Sequence, residues 1–364
     1  MGKVIKFLDI YQQDKKIHKL FIHSLKDTFK KNDFILGSAV YEFEEKFSKY
    51  CSTNYAVGCA NGTDALYLAL KTLNLPKESE VIVPAMTWIS TVLSIINCGL
   101  KPVLVDVDIK SSLISINEIK KKINTKTKVI LPVHLYGGVV DIKKIRKIIG
   151  KRKIYIIEDA AQAHGALDDN GNKIGRFSDL TCFSFYPGKN LGCYGDGGIV
   201  ITNNKQYYKK LRKLRNLGSE NKHTHDEIGI NSRLDTIQAK LLILKLQELS
   251  KLNKKRKDIA KFYNKNIINN KINKIIYSKN AVYHQYVILI KDRKSLIKLL
   301  NKKNIQSGIH YPISINKLKC FKNSFRSHPY PNAEKIASEC LSLPIDPNLN
   351  LKDLSRICSV LNNF

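Results

Sequence analysis

Apolar residues follow two rhythms along the chain. Between residues 14 and 30, Ile17, Leu20, Phe21, Leu25 and Phe29 recur at three- and four-residue intervals. That spacing predicts an amphipathic helix with one core-facing stripe. From about residue 54, short apolar runs alternate with longer segments of helical period. The runs predict strands at 55–59, 80–83, 102–106, 128–134, 153–158, 181–185 and 197–202. Helices are predicted between them at 63–74, 87–98, 115–123 and 141–149. Several runs are β-branched throughout, as suits strands covered on both faces, so the pattern predicts an α/β fold with a mostly parallel sheet.

A long helical segment at 233–263 reads as a connector. Beyond it lie a strand at 282–290 and helices at 293–303 and near 333–342. This predicts a large domain over residues 1–250 and a smaller C-terminal α/β domain over 251–364. The most apolar stretch, 81–100, is interrupted by Pro84, Thr87, Ser90, Thr91, Ser94 and Asn97. It reads as strand, turn and helix, and no membrane partner is expected. The opening residues, MGKVIK, show no apolar leader core and no Ser or Thr at position six, so neither a secretion signal nor a myristoyl anchor is expected.

Charge adds a further constraint. The chain of 364 residues is 43% hydrophobic, enough for a sizeable core, yet Lys and Arg number 62 against 31 acids, for a net charge of +31. Such a field attracts anions, nucleic acid among them. The basic residues are spread along the chain, however. Their denser clusters, 143–152, 209–215 and 251–257, have helical period and read as solvated helix faces. No helix-turn-helix, zinc spacing or aromatic-interleaved basic strand supports a basic regulatory protein, and no nucleic acid partner is expected. A phosphorylated small substrate would gain from the same field. The eight cysteines form no C-x-x-C pair and no metal-ligand spacing. No metal site is expected, and the thiols read as reduced, in a cytoplasmic setting.

Candidate chemistry gathers where predicted strands end. Asp159 closes the run IIED, and in an open α/β sheet ligands bind beyond the carboxyl ends of strands. A buried carboxylate there suits a cation; the alternative is a loop or capping Asp. Lys189 lies in SFYPGKNLGCYGDGG, among small residues just after a strand. Such a lysine can lose its proton and act as an amine nucleophile, although a lone lysine in a lysine-rich chain is ordinarily an exposed charge. Gly62, Thr63 and Asp64 stand between strand and helix, as a phosphate cradle or as an ordinary turn and N-cap. Trp88, the one tryptophan, is either core or a ring that stacks on a flat ligand. His134 in VHLYG either lines a pocket or is structural.

These motifs together resemble the DegT/DnrJ/EryC1/StrS sugar aminotransferases. IIEDAAQAHGA, SFYPGKNLGCYGDGG and GINSRLDTIQAKL carry the resemblance in order, and it spans nearly the whole chain. It implies the aspartate-aminotransferase fold (fold type I), pyridoxal 5'-phosphate as cofactor and pyridoxamine 5'-phosphate in the cycle. It also implies a homodimer that shares its active sites.

By the same resemblance Lys189 carries the cofactor as a Schiff base and later moves a proton. Relatives that eliminate a hydroxyl have His there instead. Asp159 pairs with the pyridine nitrogen, Gln162 lies near the ring and Trp88 stacks on it. Gly62, Thr63, Ser184 and, through its backbone, Asp64 bind phosphate, with Asn231 reaching in from the neighbouring subunit. The bland alternative for Asn231 is a residue near a helix N-cap. His310 and Tyr311, in His-Tyr-Pro, resemble a substrate-site loop; a plain X-Pro turn is the alternative. The implied reaction moves an amino group from an amino acid, with glutamate expected, to a dTDP- or UDP-linked keto-deoxysugar. NGTDAL and Phe34–Gly37 (FILG) resemble members that aminate C3, while Gly138-Val139-Val140-Asp141 departs from the usual sequence after HLYG and leaves C4 amination as the alternative.

Overall fold

The computed structural model describes residues 3–221, 223–321, 324–325 and 328–364; Met1 and Gly2, on which the leader and anchor expectations partly rest, lie outside them. After α1 (Ile10–Lys31) and α2 (Ser38–Cys51), strands and helices alternate. They are β1 (Tyr55–Cys59), α3 (Gly62–Thr72), β2 (Glu80–Pro84), α4 (Ser90–Asn97), β3 (Lys101–Val105), α5 (Ile116–Lys122), β4 (Thr127–Ile130), α6 (Ile142–Ile149), β5 (Tyr155–Asp159), β6 (Leu180–Ser184), β7 (Gly198–Thr202) and α7 (Lys205–Leu214). The long α8 (Thr236–Asn266) leads to β8 (Asn273–Lys274), β9 (Tyr286–Leu289), α9 (Arg293–Lys302), α10 (Pro331–Glu339), β10 (Cys340–Leu343) and α11 (Leu351–Asn362).

β1 to β7 form one sheet in the order β1-β7-β6-β5-β4-β2-β3. β7 runs against both neighbours and every other pair is parallel. β1 to β6 therefore end at one edge of the sheet, and the loops that follow them share that edge. Side chains alternate across each strand. Ile199 and Ile201 face a core built with Phe43 and Phe47 of α2 and Leu242 of α8. Val200, between them, faces Leu66 and Leu70 of α3 and Leu211 of α7. Both faces being covered explains why these strands read as continuous apolar runs.

The second sheet, β10-β9-β8, is antiparallel. Its core joins Tyr286 and Ile288 to Ile259 and Tyr263 of α8, Leu296 of α9 and Leu354 of α11. α8 runs unbroken through residue 250 and packs Leu242 and Leu249 against the large sheet. Among the described residues, no helix is long and apolar enough to cross a membrane.

The structure corrects three local expectations. The helix expected near 333–342 stops at Glu339, because Cys340–Leu343 pairs with β9; four apolar-leaning residues carry no period that separates strand from helix. α2 and α11 form where no element is expected, each with an apolar stripe, such as Val40, Phe43 and Phe47. Arg215, in a cluster expected to be solvated, is buried: its guanidinium meets Glu44 and donates to the Gly58 carbonyl at 2.8 Å.

Candidate active site

The loops beyond β1, β2, β5 and β6 bring the candidate residues to one edge. Asp159 is the last residue of β5 and is 6% exposed. Its Oδ2 accepts from the Thr91 hydroxyl at 2.9 Å and its Oδ1 from the Ala161 N–H at 3.2 Å. Thr87, in the bend before α4, and Thr91, in its first turn, hold their hydroxyls at 2.8 Å, so a short hydroxyl chain ends on the carboxylate. Burial raises the Asp159 pKa, against the Ala161 and Thr91 bonds and the positive charge of Lys189.

Lys189 lies in a turn after β6, with its N–H bonded to the Tyr186 carbonyl at 2.9 Å. Burial pushes its amine down to about 8 from an ordinary 10.5, opposed by the Asp159 carboxylate. The two groups thus feel each other's charge. Among the described residues no carboxylate lies within ion-pair distance of the amine.

Gly62 and Thr63 open α3, whose first N–H groups have no helical acceptor. A Cβ on Gly62 would sit 2.5 Å from the Ser184 Cβ, so only a glycine lets the helix start come this close to the end of β6. Thr63 donates its hydroxyl to Ser90 at 2.8 Å, joining the first turns of α3 and α4. Asp64 is held on both its backbone and its side chain. Its N–H is taken by the Asn61 side chain at 2.8 Å, and its carboxylate accepts from Ser232 at 2.6 Å.

Trp88 is 54% exposed and so is no core residue; its ring lies 5.1 Å from that of Tyr311. Gln162 is buried and oriented. Its Oε1 accepts from the Tyr136 N–H at 2.6 Å, so its Nε2 donates to the Tyr311 hydroxyl at 3.0 Å. His310 shares a 2.8 Å bond with Ser342, and burial, with the charge of Lys189, pushes it down to about 4. His310 and Tyr311 therefore stand beside the candidate chemistry. His134 is structural: fully buried, it accepts from the Val140 N–H on Nδ1 and so donates from Nε2 to Glu158 at 2.7 Å.

Asn231 stands apart. It is exposed, bridged to Asn216, and precedes Ser232, which ties Asp64 and Ala60. It caps no helix, since α8 starts after Asp235. Sequence reasoning missed Thr91 as a partner of Asp159, although the signal was present. Thr87 and Thr91 are four apart at a strand-to-helix junction, a spacing that puts two hydroxyls on one face.

These residues fit a flat, anionic cofactor with a basic ring nitrogen. The fit comprises a buried carboxylate, a part-neutral amine, an indole face left open and a helix start pressed against Ser184 with no Cβ between. A family profile described as the DegT/DnrJ/EryC1/StrS aminotransferase family matches residues 15–362. The chain is 39% identical over 363 residues to the dTDP-3-amino-3,6-dideoxy-alpha-D-galactopyranose transaminase of Aneurinibacillus thermoaerophilus, with 99% of each chain covered. Among solved structures it is similar to S. venezuelae DesV, at 34% identity and a TM-score of 0.96, with 100% of this chain and 98% of that one covered. It is also similar to ntda of Bacillus subtilis, solved with bound cofactor PMP, at 28% identity and a TM-score of 0.93, with 100% and 85% covered. This chain belongs to the DegT/DnrJ/EryC1/StrS aminotransferase family, and it is a pyridoxal-phosphate-dependent transaminase of fold type I.

Proposed function

We propose that this enzyme moves the amino group of glutamate to the C3 ketone of a dTDP- or UDP-linked deoxysugar. The observation that carries the reading is the Lys189 amine, lowered to about 8 and sensing the Asp159 carboxylate, at the edge where six strands end. The Aneurinibacillus relative, named for a 3-amino sugar, supports C3. Gly138–Asp141 does not weigh against it. The N–H groups of Val139 and Val140 are bonded to Ser278 and His134, so the departure from the family pattern lies in the internal packing of that loop.

Pyridoxal phosphate, when bound, supplies a conjugated electron sink that acidifies the C–H next to the substrate nitrogen. Lys189 holds and moves the proton at Nζ: with a pKa of about 8 the amine is partly neutral near neutral pH and can accept it. Asp159, braced by Thr91 and Ala161, offers a fixed negative charge to a cationic ring nitrogen. The exposed Trp88 indole offers a stacking face, and Gln162 stands at the ring edge. Gly62, Thr63 and Ser184 take the phosphate, and Asp64 braces their loop through Ser232. His310 and Tyr311 line the sugar side.

The exposed Asn231 reaches the phosphate of a second copy, making the working unit a homodimer with shared active sites. The chain divides near residue 250 into a cofactor-binding part and a small C-terminal part, which fits the two sheets. Eight free cysteines fit a cytoplasmic setting. The test uses visible absorption of the pure holoenzyme. Glutamate alone removes the band, and a nucleotide-linked 3-keto-deoxysugar then restores it. Recovery with a 4-keto sugar alone moves the reaction to C4. A glutamate response that no keto-sugar reverses removes sugars from the reading.

A further inference from the structure

The residue after the candidate lysine is tied by its side chain to distant parts of the molecule. Asn190 is 3% exposed, and its side chain meets two other segments of the chain. Its Nδ2 donates to Asn253 Oδ1 of α8 at 2.9 Å and to the Val282 carbonyl at 3.1 Å. Two acceptors on one side fix the amide's orientation, so Oδ1 is the atom facing His284 Nδ1 at 3.2 Å. His284 must then carry its proton on Nδ1. Its Nε2 is left as an acceptor for Gln285 Nε2, the longest link at 3.5 Å. Asn253 is fixed in the same way: Oδ1 is taken by Asn190, so Nδ2 donates to the His164 carbonyl at 2.8 Å.

The result is one directed chain, Gln285 to His284 to Asn190 to Asn253 to the His164 carbonyl. Asn253 is 5% and His284 8% exposed, so water does not substitute for a lost link without rearrangement. The links join four segments: the lysine turn, α8, the approach to β9, and the loop that carries Asp159, Gln162 and His164. The approach to β9 is itself anchored beside the site, with Val282 N–H bonded to the Gly137 carbonyl at 3.0 Å. The far end is shaped for the contact too. Gly165 has φ +82°, and a Cβ there would meet the Tyr50 hydroxyl at 2.4 Å and Asn253 Nδ2 at 3.0 Å.

We propose that Asn190 is the positioning residue for Lys189, locking the lysine turn against the Asp159 loop through Asn253 and against the small sheet through His284. This rests on Lys189 being the reactive amine. Asn190 touches neither substrate nor cofactor. It fixes the backbone from which Lys189 projects, and with it the distance over which Nζ works.

The test compares Asn190→Ala, Asn253→Asp, His284→Leu and His284→Asn with wild-type holoenzyme. Tyr263→Phe, which loses a buried 2.7 Å bond to the Pro344 carbonyl that is no link of this chain, controls for instability. Misplacing a reacting group by about 1 Å costs on the order of 10²-fold, so Asn190→Ala, Asn253→Asp and His284→Leu should lower kcat about 10- to 100-fold. KM for glutamate should stay within about twofold, as expected when ground-state binding is untouched. The pH midpoint of the visible band should shift in these three. His284→Asn keeps a donor where Nδ1 stands and should behave as wild type. In the apoprotein, pH-dependent acetylation of Lys189, read by peptide mass spectrometry, should change in the same three variants. A wild-type band with midpoint, kcat and apoprotein labelling unchanged in Asn190→Ala, or changed equally in Tyr263→Phe, overturns the proposal alone. Absence of any visible band in wild type removes the Lys189 reading and this inference with it.

Discussion

Two lysines are taken largely out of water in this enzyme, and they are treated in opposite ways. Lys245 of α8 is 3% exposed and sits 2.8 Å from Asp14 of α1, itself 2% exposed. The Tyr194 hydroxyl donates to the same Asp14 oxygen at 2.9 Å. That cation has a fully committed counter-ion. Lys189 lies five residues before Tyr194 in the same glycine-rich loop, yet its acid, Asp159, spends its oxygens on Thr91 and Ala161. Attraction without contact leaves burial dominant, and the amine falls to about 8. The contrast separates a structural cation from the one proposed to be reactive. What matters is whether the carboxylate's bonds go to the lysine or to other donors.

The largest expected effect is on the reactive member. Lys189→Ala should abolish the visible band and lower turnover on the order of 10⁴-fold or more, because nucleophile and proton carrier are lost together. Lys245→Met should leave the band intact and kcat per folded molecule near wild type. If it removed the band as well, the two lysines would not differ in kind.

The next effect belongs to the structural member. Lys245→Met strands Asp14 as an unpaired buried charge, which should cost about 3–5 kcal/mol in urea unfolding. Replacing both partners, Asp14→Leu with Lys245→Met, should recover most of that loss, since a well-packed apolar pair often matches a buried ion pair. Tyr194 is 36% exposed and can turn its hydroxyl to water. A double variant as unstable as the single one would mean that Asp14 serves the fold through something besides Lys245.

How much of this contrast was legible in the sequence follows from distance along the chain. The strands were legible because helices cover both faces of the sheet, leaving β-branched runs such as Val81-Ile82-Val83 within a fully buried strand. Lys189 and Asp159 were readable as candidates because Lys189 stands among small residues just after a strand and Asp159 closes one. Their surroundings were not. Thr91 reaches Asp159 across 68 positions, Asn190 reaches Asn253 across 63 and Gln162 reaches Tyr311 across 149. No local period encodes such pairs. Lys245 shows the converse failure. It lies in a long helix of a lysine-rich chain, and nothing near it in sequence marks it as buried, because its partner is 231 positions away. Arg215 was misjudged for the same reason, with Glu44 171 positions away.

The smallest effect tests the reactive lysine without its cofactor. In the apoprotein Lys189 binds its proton less tightly than in the unfolded chain, with a pKa of about 8 against 10.5. Between those values the unfolded state holds more protons, so stability rises with pH across that window. Below about pH 8 the folded apoprotein bears the full penalty of a charged amine in a poorly solvated place. Lys189→Met removes the charge and keeps most of the side-chain volume. At pH 7 it should stabilise the apoprotein by about 1–3 kcal/mol, the upper figure being the full pKa drop and the lower one allowing for the solvent that reaches a partly exposed group. The gain should shrink as pH rises from about 8 toward 10.5 and vanish only above it, where the wild-type amine is neutral in both states. Urea unfolding of both apoproteins at pH 7 and pH 10 measures it, with every other titrating group common to the two. By the proposed role of Lys189 the same variant should lose the reaction, so stability and activity should move in opposite directions at one position. A gain of equal size at both pH values would trace it to better packing by methionine and remove the strained amine from the account.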